Sequence, residues 1–178
     1  AICFLMDAFS RNKNVTYTSV AHEQAAAMMA DSYSRLGPDL ACTMVTSGPG
    51  ATNLITGIAC SWFDSIPAIH ITGQVNSYEK QGAQKGTKNT RQVGFQETDI
   101  VSITKPISKF SYQLKNPNEI RYVLEKATFL AQSGRPGPVV IDIPMNFQKA
   151  DINPLSLDFS SLENIPDFIA FLIPSLFL

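Results

Sequence analysis

Glu23 is the carboxylate in this sequence that is best placed to do chemistry. It follows His22 and precedes the small and flexible side chains AAAMMA, and the surrounding range Ala21–Leu36 has the pattern of a helix. A carboxylate in the first turn of a helix usually serves only as a partner of the helix dipole. If it is partly removed from water, we expect its pKa to be raised, and it can then share a proton with a ligand nitrogen. The residues alone leave both roles open.

The segment TSGPGATN is the second candidate. Gly48 and Gly50 flank Pro49 between a predicted strand and a predicted helix, where glycines let the backbone turn sharply and let a ligand approach closely. The segment is not a dinucleotide fingerprint, because Asn53 stands where a third glycine is needed and His70 stands near the position of the required acid. A Walker loop, GxxxxGK[ST], does not occur either. The segment therefore predicts either a ligand-binding turn or a purely structural one.

Other reactive side chains are scattered. His22 and His70 have no metal or triad spacing, and no residue lies in a nucleophile motif such as G-x-S-x-G. We expect His22 to orient its loop or contact substrate. Cys3, Cys42 and Cys60 are unclustered in apolar surroundings, which predicts buried, reduced thiols and neither a disulfide frame nor a zinc site. Since no signal peptide is evident, we expect a cytoplasmic protein.

Short apolar runs alternate with longer helical patterns along the chain. The predicted strands are Val15–Thr18, Leu40–Thr46, Pro67–Thr72, Lys109–Leu114 and Pro138–Ile143, and the predicted helices are Ala21–Leu36, Ala51–Phe63 and Pro117–Gln132. Strands that are nearly continuous in apolar residues are typical of parallel strands covered on both faces. The alternation predicts an α/β fold, an open and mainly parallel sheet with helices on both faces.

In such a sheet, ligands gather outside the carboxyl ends of the strands. That rule selects three loops, TSVAHEQ, TSGPGATN and TGQV, which carry Glu23, the Gly-Pro-Gly turn and Gln74. The polar stretch Asn76–Gly94 follows the third loop and has little secondary-structure pattern. A loop of that length in a compact domain is usually functional or disordered.

The bulk composition limits the partners. A net charge of -1 gives no electrostatic attraction for nucleic acid or anionic lipid, and 178 residues with 44% apolar content suit one well-buried domain. The C-terminal DFIAFLIPSLFL is apolar, but it is shorter than the roughly 20 residues of a membrane helix and Pro174 interrupts it. We therefore expect neither nucleic acid nor a membrane as a partner.

Four segments together resemble thiamine-diphosphate enzymes of the acetolactate synthase type. They are HEQAAAMMADSYSR, TSGPGATNLITGIACSWFDSIPAIHITGQV, GFQETDIV and SGRPGPVVIDIP, in the family's order and approximate spacing from about Ala1 to Gln148. The resemblance implies a thiamine-diphosphate-binding fold, with a pyrimidine-binding domain at 1–150 that lacks its first strand. It implies a linker or the start of the following domain at 151–178.

The resemblance also implies roles for individual residues. Glu23 matches the catalytic glutamate that hydrogen-bonds N1′ of the cofactor's aminopyrimidine. Further cofactor contacts are implied for Gly48, Pro49, Gly50, Asn53 and Gln74. Substrate contacts are implied for His22, Phe95 and Gln96. Thiamine diphosphate is the expected cofactor, with Mg²⁺ held by a domain absent from this chain, no metal ligand within it, and FAD in flavin-containing members.

The family's sites lie between two subunits, so a homodimer or homotetramer is implied, and this chain alone would be an incomplete, inactive fragment. The implied reaction is decarboxylation of a 2-oxo acid, pyruvate, with carboligation, as in branched-chain amino acid biosynthesis. Met145 stands where many acetolactate synthases have Lys, and Asn76–Gly94 is longer than usual. These departures favour an alternative in which a two-carbon unit passes to a nucleotide-sugar ketone in surface-polysaccharide biosynthesis. A non-catalytic α/β binding module is a third hypothesis, since the chain lacks the family's Gly-Asp-Gly…Asn element.

Overall fold

A four-stranded parallel sheet with helices packed on it forms the domain in the computed structural model, which describes residues 1–153. The strands are β1 (Ala41–Val45), β2 (Ala68–Gln74), β3 (Phe110–Gln113) and β4 (Pro138–Pro144). The helices are α1 (Cys3–Arg11), α2 (Glu23–Leu36), α3 (Pro49–Asn53), α4 (Ile55–Asp64), α5 (Ile100–Thr104), α6 (Ile120–Gln132) and α7 (Met145–Gln148). The strand order is β1-β2-β4-β3, and every pairing is parallel. The predicted α/β class is confirmed.

The two central strands explain why the apolar runs are continuous. β2 and β4 pair from Ala68 with Pro138 to Gln74 with Pro144, and all their residues are buried. The edge strand β1 instead alternates, with Cys42 exposed between two buried residues. Only a strand with neighbours on both sides and helices on both faces needs apolar side chains throughout.

Helices cover both faces of the sheet, as predicted. One core lies between the sheet and α6, with contributions from Val123, Ala127 and Ala131 of that helix. The other core brings together residues of α2, α3, α4 and α5 over the opposite face, among them Ala27, Leu54, Ile58 and Ile100. The second core is the one that positions the site, because α2 and α3 carry the candidate side chains.

Helices α2 and α4 meet at an unusually short distance. A Cβ added to Gly57 of α4 would lie 2.3 Å from the Cβ of Ala27 in α2. Only a residue without a side chain fits there, so Gly57 fixes the separation of the two helices. Glu23 is the first residue of α2, close to Ala27. The Gly-Pro-Gly turn begins α3, which leads directly into α4 and Gly57. The close packing therefore sets the distance between the two candidate segments.

The strand predicted at Val15–Thr18 is wrong. Residues 12–22 contain no helix or strand, and Thr16, Tyr17 and Thr18 are exposed. Their β-branched and aromatic side chains favour a strand locally, but a strand is stable only when its backbone groups have a partner and one face is buried. Neither condition is met here within the described residues.

The prediction of buried thiols is also wrong, although all three cysteines are free as expected. Cys42 points outward from the edge strand, Cys60 lies on an outward position of α4, and Cys3 lies in α1, which has no buried residue. Apolar neighbours in sequence did not imply burial, because each cysteine lies on the outward side of its element.

Two further predictions concern long or terminal segments. The helix predicted at Ala51–Phe63 forms as two helices, α3 and α4, which meet at Leu54. The linker or domain start predicted at 151–178, with its apolar tail, lies outside the described residues from position 154 on. Within the described part, none of the helices has both the length and the apolar character needed to span a bilayer.

Candidate active site

The Gly-Pro-Gly turn joins β1 to α3 at the carboxyl edge of the sheet. Gly48 is the residue before α3 and has φ = +61°, a conformation that favours glycine. Pro49 then occupies the start of the helix, where its fixed φ suits the helix and its missing N–H is not needed. Gly50 is buried, and a Cβ there would lie 2.7 Å from Cγ2 of Thr46 and 3.4 Å from Oε1 of Glu23. The glycine lets the backbone of the turn approach Thr46 and the Glu23 carboxylate closely.

The carboxylate of Glu23 is hydrogen-bonded to Asn53. Nδ2 of Asn53, the last residue of α3, donates to Oε2 of Glu23 over 3.0 Å. The structure thus brings together two residues predicted to lie at the cofactor, and Asn53 holds one oxygen of the pair. Oε1 is the oxygen that faces Gly50.

The expectation of a raised pKa for Glu23 is contradicted in this chain. The Asn53 hydrogen bond lowers the pKa of Glu23 most, and a backbone hydrogen bond lowers it next. Burial raises the pKa by less than either, and the nearby His22 lowers it slightly further. The physical reason is that the carboxylate is only half-buried and its hydrogen-bond donors favour the charged form. The described residues therefore hold an ionised Glu23 at neutral pH.

His22 is the residue that caps α2. Its backbone is extended, with φ = −150° and ψ = 137°, and its Nδ1 accepts a hydrogen bond from the Gln24 amide over 3.1 Å. Capping satisfies one of the amides that a helix start leaves unpaired. Of the two roles expected for His22, orientation of the loop is the one that the structure provides for directly. The ring is exposed next to Glu23.

The Phe95–Gln96 pair lies directly against the Gly-Pro-Gly turn. A Cβ on Gly48 would lie 2.7 Å from Cβ of Gln96 and 2.8 Å from its carbonyl oxygen. Gln96 itself has φ = +57°, a strained conformation for a residue with a side chain, of the kind that is concentrated at functional sites. Phe95 is 82% exposed beside it. Two segments that are far apart in sequence therefore meet at one edge.

Gln74 lies underneath this group and is almost fully buried. Its Nε2 donates to the carbonyl oxygen of Thr98 over 2.8 Å and to Asp142 over 3.0 Å, and its Oε1 accepts from the Val75 amide. The side chain is 1% exposed. Both ends of the amide are thus used within the protein. Gln74 is the one predicted site residue whose side chain the structure directs to the interior.

Two acidic residues of the region were missed by the sequence analysis. Asp142 is buried in β4 under Gln74, and Glu97 accepts backbone amides of the long loop. For Asp142 there was a signal, because a carboxylate inside an otherwise apolar strand must have internal partners. For Glu97 there was none, since its partners are backbone amides that lie up to 16 positions away.

Among residues 1–153, no group of three or more His, Cys, Asp or Glu side chains is arranged to hold a metal ion. Carboxylates of this region are instead engaged by amides and hydroxyls. What the site offers is an ionised carboxylate beside a glycine turn, with an aromatic ring and an amide next to it.

Comparison with known proteins adds to this geometry. Residues 2–103 match the family model described as thiamine pyrophosphate enzyme, N-terminal TPP binding domain. The chain is 43% identical over 155 residues to an acetolactate synthase large subunit of Buchnera aphidicola subsp. Acyrthosiphon pisum, which covers 85% of this chain and 25% of that protein. It is 43% identical over 144 residues to the acetolactate synthase isozyme 3 large subunit of Escherichia coli (strain K12), with 81% and 23% covered.

A more distant relative is the acetolactate synthase large subunit of Lactococcus lactis subsp. lactis (strain IL1403), 36% identical over 152 residues, with 85% and 25% covered. The chain spans about a quarter of the length of these curated relatives. The parallel sheet with helices on both faces agrees with the matched domain. The chain therefore belongs to the thiamine pyrophosphate enzymes, and residues 2–103 lie in their N-terminal TPP-binding domain.

Proposed function

We propose that the protein containing this chain is a thiamine-diphosphate-dependent carboligase of the acetolactate synthase type, which decarboxylates pyruvate. The observation that carries the proposal is the Glu23 carboxylate, held by Asn53 beside the Gly-Pro-Gly turn. The relatives named acetolactate synthase support the reaction class, and pyruvate as substrate rests on that relation. Residues of this chain would supply one half of the site.

The residues present fit the pyrimidine end of the cofactor. Asn53 holds Oε2 of Glu23, and Oε1 lies beside the backbone of Gly50, so Oε1 is the oxygen that we assign to the ring nitrogen. Its lowered pKa keeps the carboxylate ionised, ready to accept a hydrogen bond from a ring nitrogen that carries a proton. When bound, the cofactor would supply the electron sink that takes up the electron pair released as carbon dioxide leaves.

The chain's own residues would then divide the work as follows. Glu23 accepts and returns the proton at the ring nitrogen, while Asn53 keeps the carboxylate in place. Gly48, Pro49 and Gly50 shape the wall beside the ring. Phe95 and Gln96 project from the loop above, where the exposed ring of Phe95 can exclude water from the substrate and the amide of Gln96 can bind its polar groups. His22 orients the loop that carries Glu23.

A second copy of the chain is the proposed partner. Glu23 lies at the surface, and the same helix α2 exposes Met28, Met29 and Tyr33, with 42%, 48% and 55% of each residue accessible. Contiguous exposed apolar side chains mark interaction surfaces. A homodimer or homotetramer would cover this face, and Mg²⁺ with the diphosphate would be held by a domain outside this chain. FAD, as in the flavin-containing members, is a further proposed ligand.

The test is the full-length Glu23→Gln variant with added thiamine diphosphate and Mg²⁺. Loss of a positioned acid-base group should lower the rate of pyruvate consumption by roughly 10²–10⁴-fold. Glu125→Gln makes the same chemical change on α6, where Glu125 pairs with Arg121 away from the turn, and should keep the wild-type rate. Wild-type consumption by Glu23→Gln would refute the assigned role.

A second candidate differs in the acceptor. Met145 in place of the usual Lys and the long polar loop at 76–94 favour transfer of the two-carbon unit to a nucleotide-sugar ketone. Pyruvate offered together with a keto-sugar nucleotide would decide between the two, because each acceptor gives a different product. Acetolactate as the sole product supports the first proposal, and a lengthened sugar supports the second. If the gene encodes no Gly-Asp-Gly…Asn element and no turnover is found, the non-catalytic module is the remaining hypothesis.

A further inference from the structure

Asp142 is a buried carboxylate at the centre of a polar network under the site. It is 1% exposed and accepts hydrogen bonds from Oγ1 of Thr72 over 2.7 Å, from Nε2 of Gln74 over 3.0 Å, and from Nε2 of Gln113. Burial raises the pKa of Asp142, while these donors act in the opposite direction. A carboxylate in this position is costly unless its oxygens are well paired. Loss of any of these donors would therefore leave a buried carboxylate oxygen without a partner.

Gln74 extends this network out of the sheet. The same Nε2 that donates to Asp142 also donates to the carbonyl oxygen of Thr98, 24 positions further along the chain. Its Oε1 is fixed by the Val75 amide, so the orientation of the amide is determined at both ends. Gln74 thus connects an anchored carboxylate in β4 to the backbone at the end of the long loop.

The segment 94–98, which we call the presenting segment, is held at its other points as well. Gly94 packs on Val75 so closely that a Cβ there would lie 2.8 Å from both of its methyl groups. The Glu97 carboxylate accepts from the amides of Gln81 over 2.7 Å, of Val93 over 3.1 Å and of Gly94 over 3.3 Å. Phe95 and Gln96 lie between these attachments and face outward. Their placement follows from contacts beneath and beside them.

We propose that Gln74, held by Asp142, is a positioning residue that fixes where Phe95 and Gln96 lie relative to the Gly-Pro-Gly turn. The inference rests on the proposed function in that Phe95 and Gln96 are the residues taken to contact substrate. It assigns Gln74 no contact with cofactor or substrate. Without the Gln74 amide, the presenting segment would spend less time in the position described here. The positions of Glu23 and Asn53 would not change.

The experiment compares two variants of the full-length enzyme. Gln74→Met keeps the length of the side chain and removes its donors, so the bridge to Thr98 is lost. Thr72→Val removes a donor to the same carboxylate from the neighbouring position of the same face of β2, and it does not touch the loop. Thr72→Val loses one hydrogen bond of the network and Gln74→Met loses three, and only Gln74→Met disconnects the presenting segment.

Limited trypsin digestion gives a readout that does not depend on catalysis. Lys80, Lys85, Lys88 and Arg91 all lie in the loop before the presenting segment. In Gln74→Met, cleavage at these sites should be about ten-fold faster, the scale of one lost buried hydrogen bond. In Thr72→Val it should stay near the wild-type rate. Equal rates in the two variants would overturn the proposal, because the effect would then be general loosening.

Kinetics give the second readout. In Gln74→Met the KM for pyruvate should rise several-fold, while deuterium exchange at C2 of thiamine diphosphate, which reports on Glu23, should stay at the wild-type rate. An equal loss in both would overturn the positioning role. If Gln74→Met does not fold, Gln74→Asn keeps the amide but shortens its reach, and the same two outcomes apply. If cleavage is faster in Gln74→Met but the wild-type protein consumes no pyruvate, the Gln74 link to Thr98 is supported and the proposed function is refuted. Failure of the positioning role can therefore be told apart from failure of the proposed function.

Discussion

Nδ2 of Asn53 lies 3.0 Å from Oε2 of Glu23, across 30 positions of sequence and from one helix to another. The contact joins the end of α3 to the start of α2, and it is the largest cause of the lowered pKa of Glu23. A half-buried carboxylate with an ordinary pKa of 4.5 would be ionised at neutral pH without this help. The hydrogen bond therefore serves chiefly to fix where the charge lies, which is what a proton relay to a bound ring requires.

Removal of this amide gives the first prediction. Asn53→Ala should raise the pKa of Glu23, so the acid limb of the pH profile for C2 deuterium exchange should move to higher pH. At neutral pH the exchange rate should fall by roughly ten-fold, since a hydrogen bond to a charged group is lost. Thr52→Val, which loses a side-chain bond to Pro49 on the same turn, serves as the control. Superimposable profiles for Asn53→Ala and wild type would contradict the assignment.

The contact of Gly48 with Gln96 gives the second prediction. Gly48→Ala introduces a side chain at φ = +61° and places its Cβ 2.7 Å from Cβ of Gln96, so the presenting segment must move. We expect a higher KM for pyruvate and faster hydrogen exchange at residues 94–98. Gly134→Ala has nearly the same backbone strain at φ = +56° but no atom within 4 Å, so it separates strain from displacement. Matching KM values in the two variants would exclude the displacement.

The α2–α4 contact gives the third prediction. Alanine usually stabilises a helix relative to glycine by up to about 1 kcal/mol. At Gly57 we expect the reverse, a loss of about 1–3 kcal/mol from overpacking, because the new Cβ would lie 2.3 Å from that of Ala27. Hydrogen exchange of α2 and α4 peptides would measure it. Gly37→Ala is the control, since its nearest atoms lie at 3.8 Å, and an equally small effect in both variants would contradict the reasoning.

The fourth prediction concerns acid stability. His70 is fully buried in β2 with Nδ1 on Oγ1 of Thr43 at 2.8 Å, and burial lowers its pKa to about 4, against a smaller opposing effect of Asp31. The folded state thus binds fewer protons than the unfolded state below the usual pKa of 6.5. The stability contributed by neutral His70 is present above pH 6.5 and is lost as the pH falls toward about 4.

Asp142 acts in the opposite sense over part of this range, because its raised pKa favours the folded state as the pH falls. The measurement is therefore a difference between wild type and a double variant, His70→Leu with Thr43→Val, which replaces both partners of the hydrogen bond. Hydrogen exchange of β2 peptides at pH 7 and at pH 5 should show a smaller pH effect in the double variant. An unchanged pH effect would mean that His70 is not the responsible group.

The sequence was sufficient for the parts of this domain that depend on local pattern. Four strands, the α6 helix and the Gly-Pro-Gly turn follow from apolar runs and from residues with restricted or unusual backbone preferences. The helix α6 is preceded by a 3₁₀ turn, Pro117–Glu119, which Asn116 caps. The strand at Val15–Thr18 did not form, because pairing depends on a partner and not on propensity. The exposure of Cys42 was missed for a related reason, since a strand pattern does not show which strand lies at the edge.

The residues of the candidate site also fall into those that could be predicted from the sequence and those that could not. The glycine turn could be identified from its position after β1. Glu23 follows a predicted strand that does not form, so its identification, like that of Phe95 and Gln96, depended on the family resemblance. The Asn53 contact, the lowered pKa of Glu23 and the interior orientation of Gln74 could not be identified, because each depends on distances of 2.8–3.0 Å between side chains or backbone groups at least 24 positions apart. A pattern along the chain does not contain those distances.

The long loop has a consequence for engineering. Its start is held by Ser77, whose amide and hydroxyl both pair with Asn146, and its end is held by Glu97 and the Gln74 bridge. Between them, Gly86 has φ = +85° and no atom within 4 Å of an added Cβ. Because the ends are fixed, extra residues at this point cost the hydrogen bonds between Gln84 and Thr87 and a loop entropy of about 0.6 kcal/mol for each doubling in length. The tip at Gly86 is thus an insertion point for an epitope tag or a reporter peptide that leaves Phe95 and Gln96 in register.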